Sequence, residues 1–196
     1  VRLGLKEKLV IVHSDLGEME WEPMKPFIEA NSFGRPVHVV EPDMDFFELC
    51  RKYDRLPSGM ARFCTSELKT RPITNWLREY CKERGITKAV NAIGIRAEES
   101  PSRAKKSPLS RSKASLKRDY QLDVTEWFPI FDYKLEDVKE EVAAAQQELH
   151  QIYSEGFSRL SCVFCVFGRI NEHKMAAEKR PELFKKMVEL ERDLGK

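Results

Sequence analysis

The stretch Leu9-Val10-Ile11-Val12-His13-Ser14-Asp15-Leu16-Gly17 decides the fold. Its first four residues form an unbroken aliphatic run, the pattern of a short strand that is buried on both faces. The polar residues that follow are typical of a loop at the end of such a strand. A helix is predicted from about residue 20 to 31, and Val37-His38-Val39-Val40 then repeats the strand pattern. The order strand, helix, strand favours parallel pairing of the two strands.

The alternation of strands and helices continues along the chain. Helices are predicted at 45–53, 66–84 and 135–153, one or two more at 174–194, and further strands at 88–95 and 127–133. This order predicts an α/β fold with a doubly wound, mostly parallel sheet. Ligands of such sheets bind at the carboxyl ends of the strands.

Composition excludes several classes of protein. The 196 residues include 34 Lys and Arg against 32 Asp and Glu, so bulk charge does not suit the chain to coating nucleic acid. Its longest apolar runs are far below the ~20 residues that cross a bilayer, and it opens without a secretion signal. We therefore expect a soluble, cytoplasmic protein without a membrane partner, whose five cysteines are thiols or metal ligands rather than disulfides.

Two polar segments follow predicted strands and are candidate ligand sites. Asp15 and Gly17 follow the first strand, where a carboxylate can bind a ribose or a metal, or can simply cap the next helix. Gly94 follows the strand at 88–95, and Arg96 and Arg103 bracket Ser100 just beyond it. Two guanidinium groups suit a phosphate or sulfate, although an exposed network of ion pairs is the alternative.

The cysteines fall into two groups. Cys162 and Cys165 are three positions apart, close enough to bind one metal ion, while a redox dithiol and a pair of core residues are alternatives. Cys64 is a third candidate ligand, and His173 is either a fourth ligand or a surface residue. Cys50 and Cys81 lie in apolar helical patterns and are expected to be buried as small hydrophobic residues.

The segment 101–121 is rich in Ser, Lys and Arg and is predicted to be a mobile basic loop. Its cations either contact phosphate or nucleic acid or are simply solvated. The residues concerned are Lys105, Lys106, Arg111, Lys113, Lys117 and Arg118.

Five segments, in their order along the chain, resemble the motifs of the phosphoadenosine-phosphosulfate reductase family. This family has a Rossmann-like sheet and belongs to the adenine nucleotide alpha-hydrolase group. The resemblance covers nearly the whole chain and is closest to the family's sulfur-transfer ATP pyrophosphatases. The segments are His13-Ser14-Asp15-Leu16-Gly17, Cys64-Thr65-Ser66-Glu67-Leu68-Lys69-Thr70-Arg71-Pro72, the run 94–103, Pro129-Ile130-Phe131-Asp132-Tyr133 and the run 156–165.

The resemblance implies a role for each candidate residue. Residues 1–155 become an adenine-nucleotide-binding domain, and residues 156–196 a cysteine-pair segment with C-terminal helices packed on it. Asp15, Gly17, Gly94, Ser100 and Arg159 are implied to bind the nucleotide, and Lys69, Arg96 and Arg103 to act on its phosphates. Cys64, Cys162 and Cys165 are implied to hold a [4Fe-4S] cluster, with zinc as the alternative, beside ATP and Mg²⁺.

Both ends of the chain depart from the family pattern. The family begins with a strand and a Ser-Gly-Gly-x-Asp-Ser phosphate loop, whereas this sequence opens at Val1-Arg2-Leu3-Gly4-Leu5, which resembles the end of the helix after that loop. We therefore expect an N-terminal piece to be missing. True reductases also carry a Glu-Cys-Gly-x-His tail, which the final Asp193-Leu194-Gly195-Lys196 lacks.

Three functions follow from these observations. The first is an enzyme that cleaves ATP between the α and β phosphates to adenylylate a substrate, in a sulfur-transfer pathway such as DNA phosphorothioation or tRNA thiolation. Its partners would be an adenine nucleotide, a nucleic-acid substrate and a sulfur-donor protein. The second is a reductase of adenylylated sulfate, with Cys50, Cys81 or a missing terminus as the source of the thiol. The third is a non-enzymatic, metal-containing scaffold that binds nucleic acid.

Overall fold

A computed structural model describes residues 8–116 and 120–195 of the chain. It groups them into two compact units. The first unit combines the chain up to Ile73 with the chain from His150 onward, and the second unit is Thr74–Leu149. None of the helices in these described ranges is both long enough and apolar enough to cross a membrane.

The first unit is built on two parallel strands, β1 (Ile11–Ser14) and β2 (Val37–Val40), with helix α1 (Met24–Ala30) between them in the chain. Ile11 lies opposite Val37, and Ser14 lies opposite Val40. The backbone N–H of Asp15 donates to the carbonyl of Val40 over 2.9 Å and extends the ladder by one bond. The loops that follow the two strands therefore lie at the same edge of the sheet.

The helices of the first unit follow these strands. They are α2 (Phe46–Tyr53), the single turn α3 (Phe63–Thr65) and, near the end of the chain, α7 (Ile170–Lys179) and α8 (Pro181–Asp193). A π-helical turn (Ser66–Thr70) follows α3 and runs into α4 (Arg71–Glu83), which belongs to the second unit from Thr74 onward. Asp45 begins α2 with a capping box, in which its side chain accepts from the Glu48 N–H. The core that these helices share includes the fully buried Leu49, Ile152 and Leu190.

The second unit holds a sheet of three strands, β3 (Lys88–Ala92), β4 (Leu109–Arg111) and β5 (Asp123–Trp127), in the order β3-β5-β4. β3 pairs with β5 in parallel, and β4 pairs with β5 in antiparallel fashion. Short helix α5 (Pro101–Ala104) precedes β4, and α6 (Leu135–Ala144) follows β5. Leu122, Val124 and Cys81 form its buried centre.

The predicted α/β fold class with mainly parallel strands is confirmed, and several details differ from expectation. The first strand, expected at 9–12, lies at Ile11–Ser14, and the strand expected at 88–95 ends at Ala92. The strand expected at 127–133 lies at Asp123–Trp127 instead, because Pro129 has no N–H to continue the ladder. Of segment 101–121, predicted to be a mobile loop, the described residues 101–116 carry α5 and β4. The helix expected at 135–153 ends at Ala144, two residues before Gln146 turns to φ +54°. The helix expected from 20 begins at Met24, behind Pro23.

Truncating the core of the first unit should destabilise it. Leu49 is 1% exposed, so Leu49→Ala should lower the free energy of unfolding by about 2–5 kcal/mol through lost burial and an unfilled cavity. Leu9→Ala, at a residue that is 45% exposed, is the matched control and should cost less than about 1 kcal/mol. Urea denaturation of both variants measures the difference, and equal losses would contradict this assignment of the core.

Candidate functional site

A cavity of about 300 Å³ opens at the carboxyl ends of β1 and β2. Its volume is at the lower end of the range for small-molecule sites. Asp15 and Gly17, both predicted from the sequence, line one side, and Glu41, the first residue after β2, lines another. The cavity lies where parallel strands of an α/β sheet present their ligands. The remaining lining residues are Leu16, Glu18, Met19, Pro42, Met44, Asp45, Phe46, Phe47 and Leu68.

A tight turn places Asp15 at the mouth of this cavity. Its Oδ1 accepts a 2.8 Å hydrogen bond from the Gly17 N–H, two residues ahead. Gly17 has φ +56°, in the left-handed region that glycine adopts without strain, and a short 3-10 helix (Gly17–Met19) follows. Asp15 thus shapes the loop without capping that helix, and it lines the cavity.

The cavity is acidic. Asp15, Glu18, Glu41 and Asp45 line it, and no Lys or Arg does so among the residues described. Glu18 is held at the rim by Lys186, whose Nζ lies 2.6 Å from each of its carboxylate oxygens. Carboxylates accept hydrogen bonds from hydroxyl and amino groups and repel phosphates. The cavity therefore suits the nucleoside part of a ligand better than its phosphate part.

Among the predicted phosphate-binding cations, Lys69 directly follows a residue that lines the cavity. It lies in the π turn Ser66–Thr70. Its neighbour Leu68 is buried and lines the cavity. The Ser14 hydroxyl at the end of β1 donates a buried 2.6 Å hydrogen bond to the Leu68 carbonyl, which ties this turn to the strand. A π turn leaves carbonyls without their usual α-helical partners and often occurs at functional sites.

The cysteine segment packs against the same cavity wall. The Val163 N–H donates to the carbonyl of Met19 over 2.9 Å, and the Cys165 N–H donates to the carbonyl of Cys162 over 3.2 Å. Burial raises the pKa of the Cys64 thiol; a hydrogen bond from Thr65 and the charge of Lys69 lower it, and the neighbouring Cys162 raises it. Cys64 and Cys162, far apart in sequence, thus pack against the same core, and their shared binding of a metal stays a prediction.

The part of the chain that the structure describes shows no cluster of three metal ligands. Across residues 8–116 and 120–195, no three His, Cys, Asp or Glu side chains come close enough together to bind one ion. His173 packs flat on Phe164, with its Nε2 only 2.8 Å from where a Cβ on Gly168 would stand. The iron-sulfur cluster therefore stays a prediction, and no step of the chemistry is assigned to it.

Glu172 of α7 holds the loop before the cysteines in place. Its carboxylate accepts hydrogen bonds of 2.7 and 2.8 Å from the hydroxyl and N–H of Ser158, and one of 2.8 Å from the N–H of Arg169. Burial would raise its pKa, but these hydrogen bonds, with help from the charge of Arg159, lower the pKa to about 2. Sequence analysis missed this residue, because an acidic residue in the first turn of a helix is unremarkable.

Arg159, predicted to bind the nucleotide, follows Ser158 directly. Its Nη2 is buried and has no hydrogen-bond partner among the residues that the structure describes. Its guanidinium carbon lies 5.9 Å from the centre of the Phe167 ring. An unpaired buried donor is costly, typically by about 1–3 kcal/mol, so this nitrogen is a strong candidate for contact with a ligand.

The other predicted anion-binding residues lie in the second unit. Arg96 pairs with Glu98, and Arg103 pairs with Glu99. These contacts agree with the alternative prediction, an exposed network of ion pairs. Ser100 caps α5, since its hydroxyl accepts from the Arg103 N–H over 3.2 Å. Gly94 lies beyond β3, against Ile130. Binding of a phosphate by these residues stays a prediction.

The basic segment is partly occupied by contacts of its own. Arg111 pairs with Asp123 at 3.2 Å, Lys106 lies 5.7 Å from the centre of the Phe128 ring, and the Lys113 carbonyl accepts from Arg78. Lys105 is exposed, and Lys117 and Arg118 lie outside the described residues, as do Val1–Leu5. Binding of nucleic acid by this segment therefore also stays a prediction.

Neutralising Glu172 should weaken the fold mainly at neutral pH. A carboxyl whose pKa is lowered by folding stabilises the folded state above its ordinary pKa of 4.5, and that stabilisation is lost as the pH falls toward 2. Glu172→Gln should therefore cost about 1.5–3 kcal/mol at pH 7, the range for hydrogen bonds to a charged group.

The loss should shrink steadily as the pH is lowered from 4.5 toward 2. Urea denaturation of wild type and variant across this range measures the difference directly. Glu182→Gln, at an exposed glutamate of α8, is the control and should show almost no difference at any pH. A constant gap between wild type and Glu172→Gln would show that the charge is not what matters.

Comparison of the sequence with known protein families and proteins gives matches over most of the chain. Residues 11–167 match the phosphoadenosine phosphosulfate reductase domain. An uncharacterized 37.8 kDa protein of Escherichia phage 186 is 27% identical over 164 residues, which are 83% of this chain and 47% of that protein. An uncharacterized protein of Methanocaldococcus jannaschii is 29% identical over 157 residues, 80% of this chain and 35% of that protein. The chain thus spans less than half the length of these two relatives.

Two solved structures are similar at a lower level. Phosphoadenylyl-sulfate reductase from Candida auris, in a phosphate complex, aligns with a TM-score of 0.45 and 11% identity over 79% of this chain and 69% of that one. FMN adenylyltransferase from Candida glabrata, with FAD and pyrophosphate, aligns with a TM-score of 0.45 and 16% identity over 79% of this chain and 40% of that one. The match across residues 11–167 shows that the chain belongs to the phosphoadenosine phosphosulfate reductase domain family.

Proposed function

We propose that the protein binds ATP and cleaves it between the α and β phosphates to adenylylate a substrate for sulfur transfer. The observation that carries this proposal is the cavity at the carboxyl ends of β1 and β2, where Asp15 and Gly17 of the family motif form the wall. Membership of the family supports a nucleotide as the ligand, and the acidic lining favours entry of its nucleoside part.

The nucleoside would occupy the cavity. Ribose hydroxyls and the exocyclic amino group of adenine are hydrogen-bond donors, and Asp15 and Glu41 present carboxylate acceptors from the ends of the two strands. The apolar wall of Leu16, Met19 and Leu68 suits the flat face of a base. The same carboxylates would keep the phosphates out of the cavity and direct them toward cations.

Cations near the cavity would carry the chemical step. An acceptor atom of the substrate attacks the α phosphorus, the bond from that phosphorus to the bridging oxygen breaks, and pyrophosphate leaves with the electron pair. Lys69, next to the cavity-lining Leu68, would offset charge that develops on the α phosphate. Arg159 of the same unit would contribute in the same way, and Mg²⁺ would accompany the phosphates. A role for Arg96 and Arg103, which belong to the second unit, stays a prediction of the family resemblance.

The reductase alternative has less support. It needs a thiolate nucleophile, and Cys50 and Cys81 are 0% and 1% exposed. Burial, the nearby Cys64 and the charge of Asp45 raise the pKa of the Cys50 thiol to about 12 in spite of Arg51, and burial also raises the pKa of Cys81. A thiol of this kind is a poor nucleophile at neutral pH.

Asp15→Asn tests the cavity. The amide oxygen still accepts from the Gly17 N–H, so the turn should survive, while the charged acceptor for the nucleoside is lost. We expect kcat/KM for pyrophosphate release from ATP to fall at least ~10-fold, which corresponds to about 1.4 kcal/mol. Asp43→Asn, at an exposed aspartate that does not line the cavity, is the matched control. Unchanged kinetics in Asp15→Asn would contradict the proposed site.

Anaerobic purification tests the cluster. If Cys64, Cys162 and Cys165 hold a [4Fe-4S] cluster, analysis should find about four iron and four sulfide per chain. Cys162→Ser should lose them, and Cys81→Ser, at a buried cysteine of the second unit, should keep them. Stoichiometric zinc without sulfide would support the zinc alternative. A folded protein without any of these would contradict metal binding by the three cysteines.

A further inference from the structure

Two arginines converge on the ring of Phe167. The guanidinium carbon of Arg62 lies 4.9 Å from the ring centre, and that of Arg159 lies 5.9 Å from it. Arg62 stands two residues before Cys64, and Phe167 stands two residues after Cys165. The three residues therefore form a cationic cluster, here called the Phe167 cluster, next to the cysteine segment.

The backbone holds this cluster in place. The Ser58 N–H donates to the Ala61 carbonyl and the Ala61 N–H donates to the Ser58 hydroxyl, both over 3.1 Å, so the turn that leads into Arg62 is closed twice. Gly59 in that turn lies against the ring, since a Cβ there would stand 3.8 Å from the Phe167 Cε1. Phe167 is nevertheless 43% exposed, so a ligand can reach the cluster from solvent.

Neither guanidinium is neutralised by a direct ion pair. Within the described ranges, the arginines that pair with carboxylates are others: Arg51, Arg71, Arg84, Arg96, Arg103, Arg111 and Arg180. Arg62 donates to the Thr65 hydroxyl over 3.3 Å, and Arg159 keeps its buried Nη2 without an acceptor. The carboxylate of Glu172, which acts on Arg159 electrostatically, already accepts three hydrogen bonds from Ser158 and Arg169.

We propose that the Phe167 cluster is a binding site for a tetrahedral oxyanion, phosphate or sulfate, in which Arg62 acts together with Arg159. A guanidinium that lies over an aromatic ring keeps its N–H groups for a ligand, because cation–π attraction uses the charge and none of the donors. Two forked guanidinium groups match the several oxygens of a tetrahedral anion. The acceptor that the Nη2 of Arg159 lacks is then supplied by the ligand.

The Phe167 cluster is cationic, whereas the cavity is acidic. Whether the bound anion is a nucleotide phosphate or a free sulfate rests on the proposed function. The Val163 N–H, in the segment between Arg159 and Phe167, bonds to Met19 in the cavity wall, so both features belong to one packed region of the first unit. A nucleotide whose nucleoside occupies the cavity could place a phosphate on the cluster. A free sulfate or the sulfate of an adenylylated sulfate has the same chemistry.

Isothermal titration of the protein with inorganic sulfate, and separately with AMP, tests the site. Arg62→Gln should weaken binding of the preferred anion by a factor of at least 10. Arg62→Lys keeps the positive charge but loses the forked donors of the guanidinium, so it should weaken binding less. Phe167→Leu should weaken it several-fold, since both arginines lose their support. Arg55→Gln is the matched control, because Arg55 also lies over a phenylalanine, 5.7 Å from the centre of the Phe63 ring.

Each outcome decides the proposal. A loss with AMP identifies a nucleotide phosphate as the ligand, and a loss with sulfate alone identifies the free anion, and either supports the site. Wild-type affinity in Arg62→Gln, an equal loss in Arg55→Gln, or no binding of either anion to the wild type overturns it. Melting temperatures within 2–4 °C of wild type confirm that the variants are folded.

Pyrophosphate release, measured in parallel, separates this proposal from the proposed function. If Arg62→Gln loses anion affinity while the wild type never releases pyrophosphate, the oxyanion site stands and the ATP-cleaving activity is contradicted. If the wild type releases pyrophosphate while Arg62→Gln binds both anions with wild-type affinity, the ATP-cleaving activity stands and the oxyanion site is contradicted.

Discussion

The parallel pairing of β1 with β2 is the constraint on which the candidate site depends. Because parallel strands end at the same edge, the residues that follow them, Asp15 and Glu41, are brought to one cavity although 26 positions separate them in the chain. The buried bond from Ser14 to the Leu68 carbonyl then fixes the π turn at that edge. The Val163–Met19 bond fixes the cysteine segment there as well.

Charge is divided within this region. Carboxylates surround the cavity, whereas Lys69, Arg62 and Arg159 stand on the segments that also carry the cysteines. Placing both kinds of charge in one small hollow would have neutralised them in ion pairs. Their separation leaves acceptors for the neutral part of a ligand and donors for its anionic part. A nucleotide, whose nucleoside is rich in donors and whose phosphates are acceptors, matches this division.

What sequence could predict depended on how local the signal was. β1, β2 and α2 were predicted because aliphatic runs and helical periodicity are properties of a few neighbouring residues. β4 was not, because Leu109–Arg111 forms a strand only through pairing with β5, and its composition is that of a loop. Asp15 was predicted from its place after a strand, and Cys162 and Cys165 from their spacing. Arg62, Phe167 and Glu172 were missed because their importance lies in contacts between distant segments.

The π turn has a consequence for how the chain tolerates change in length. Five residues in a wide turn separate Thr65 from Arg71, and they set the angular phase at which α4 begins. Loss of one residue would let the turn return to ordinary α-helical winding and would remove the wide hydrogen-bond pattern of the π turn. The carbonyls that the π turn leaves without α-helical partners, beside Leu68 and Lys69, would then be closed into the helix. Substitution in this turn is therefore a smaller perturbation than deletion, since it leaves the number of residues in the wide turn unchanged.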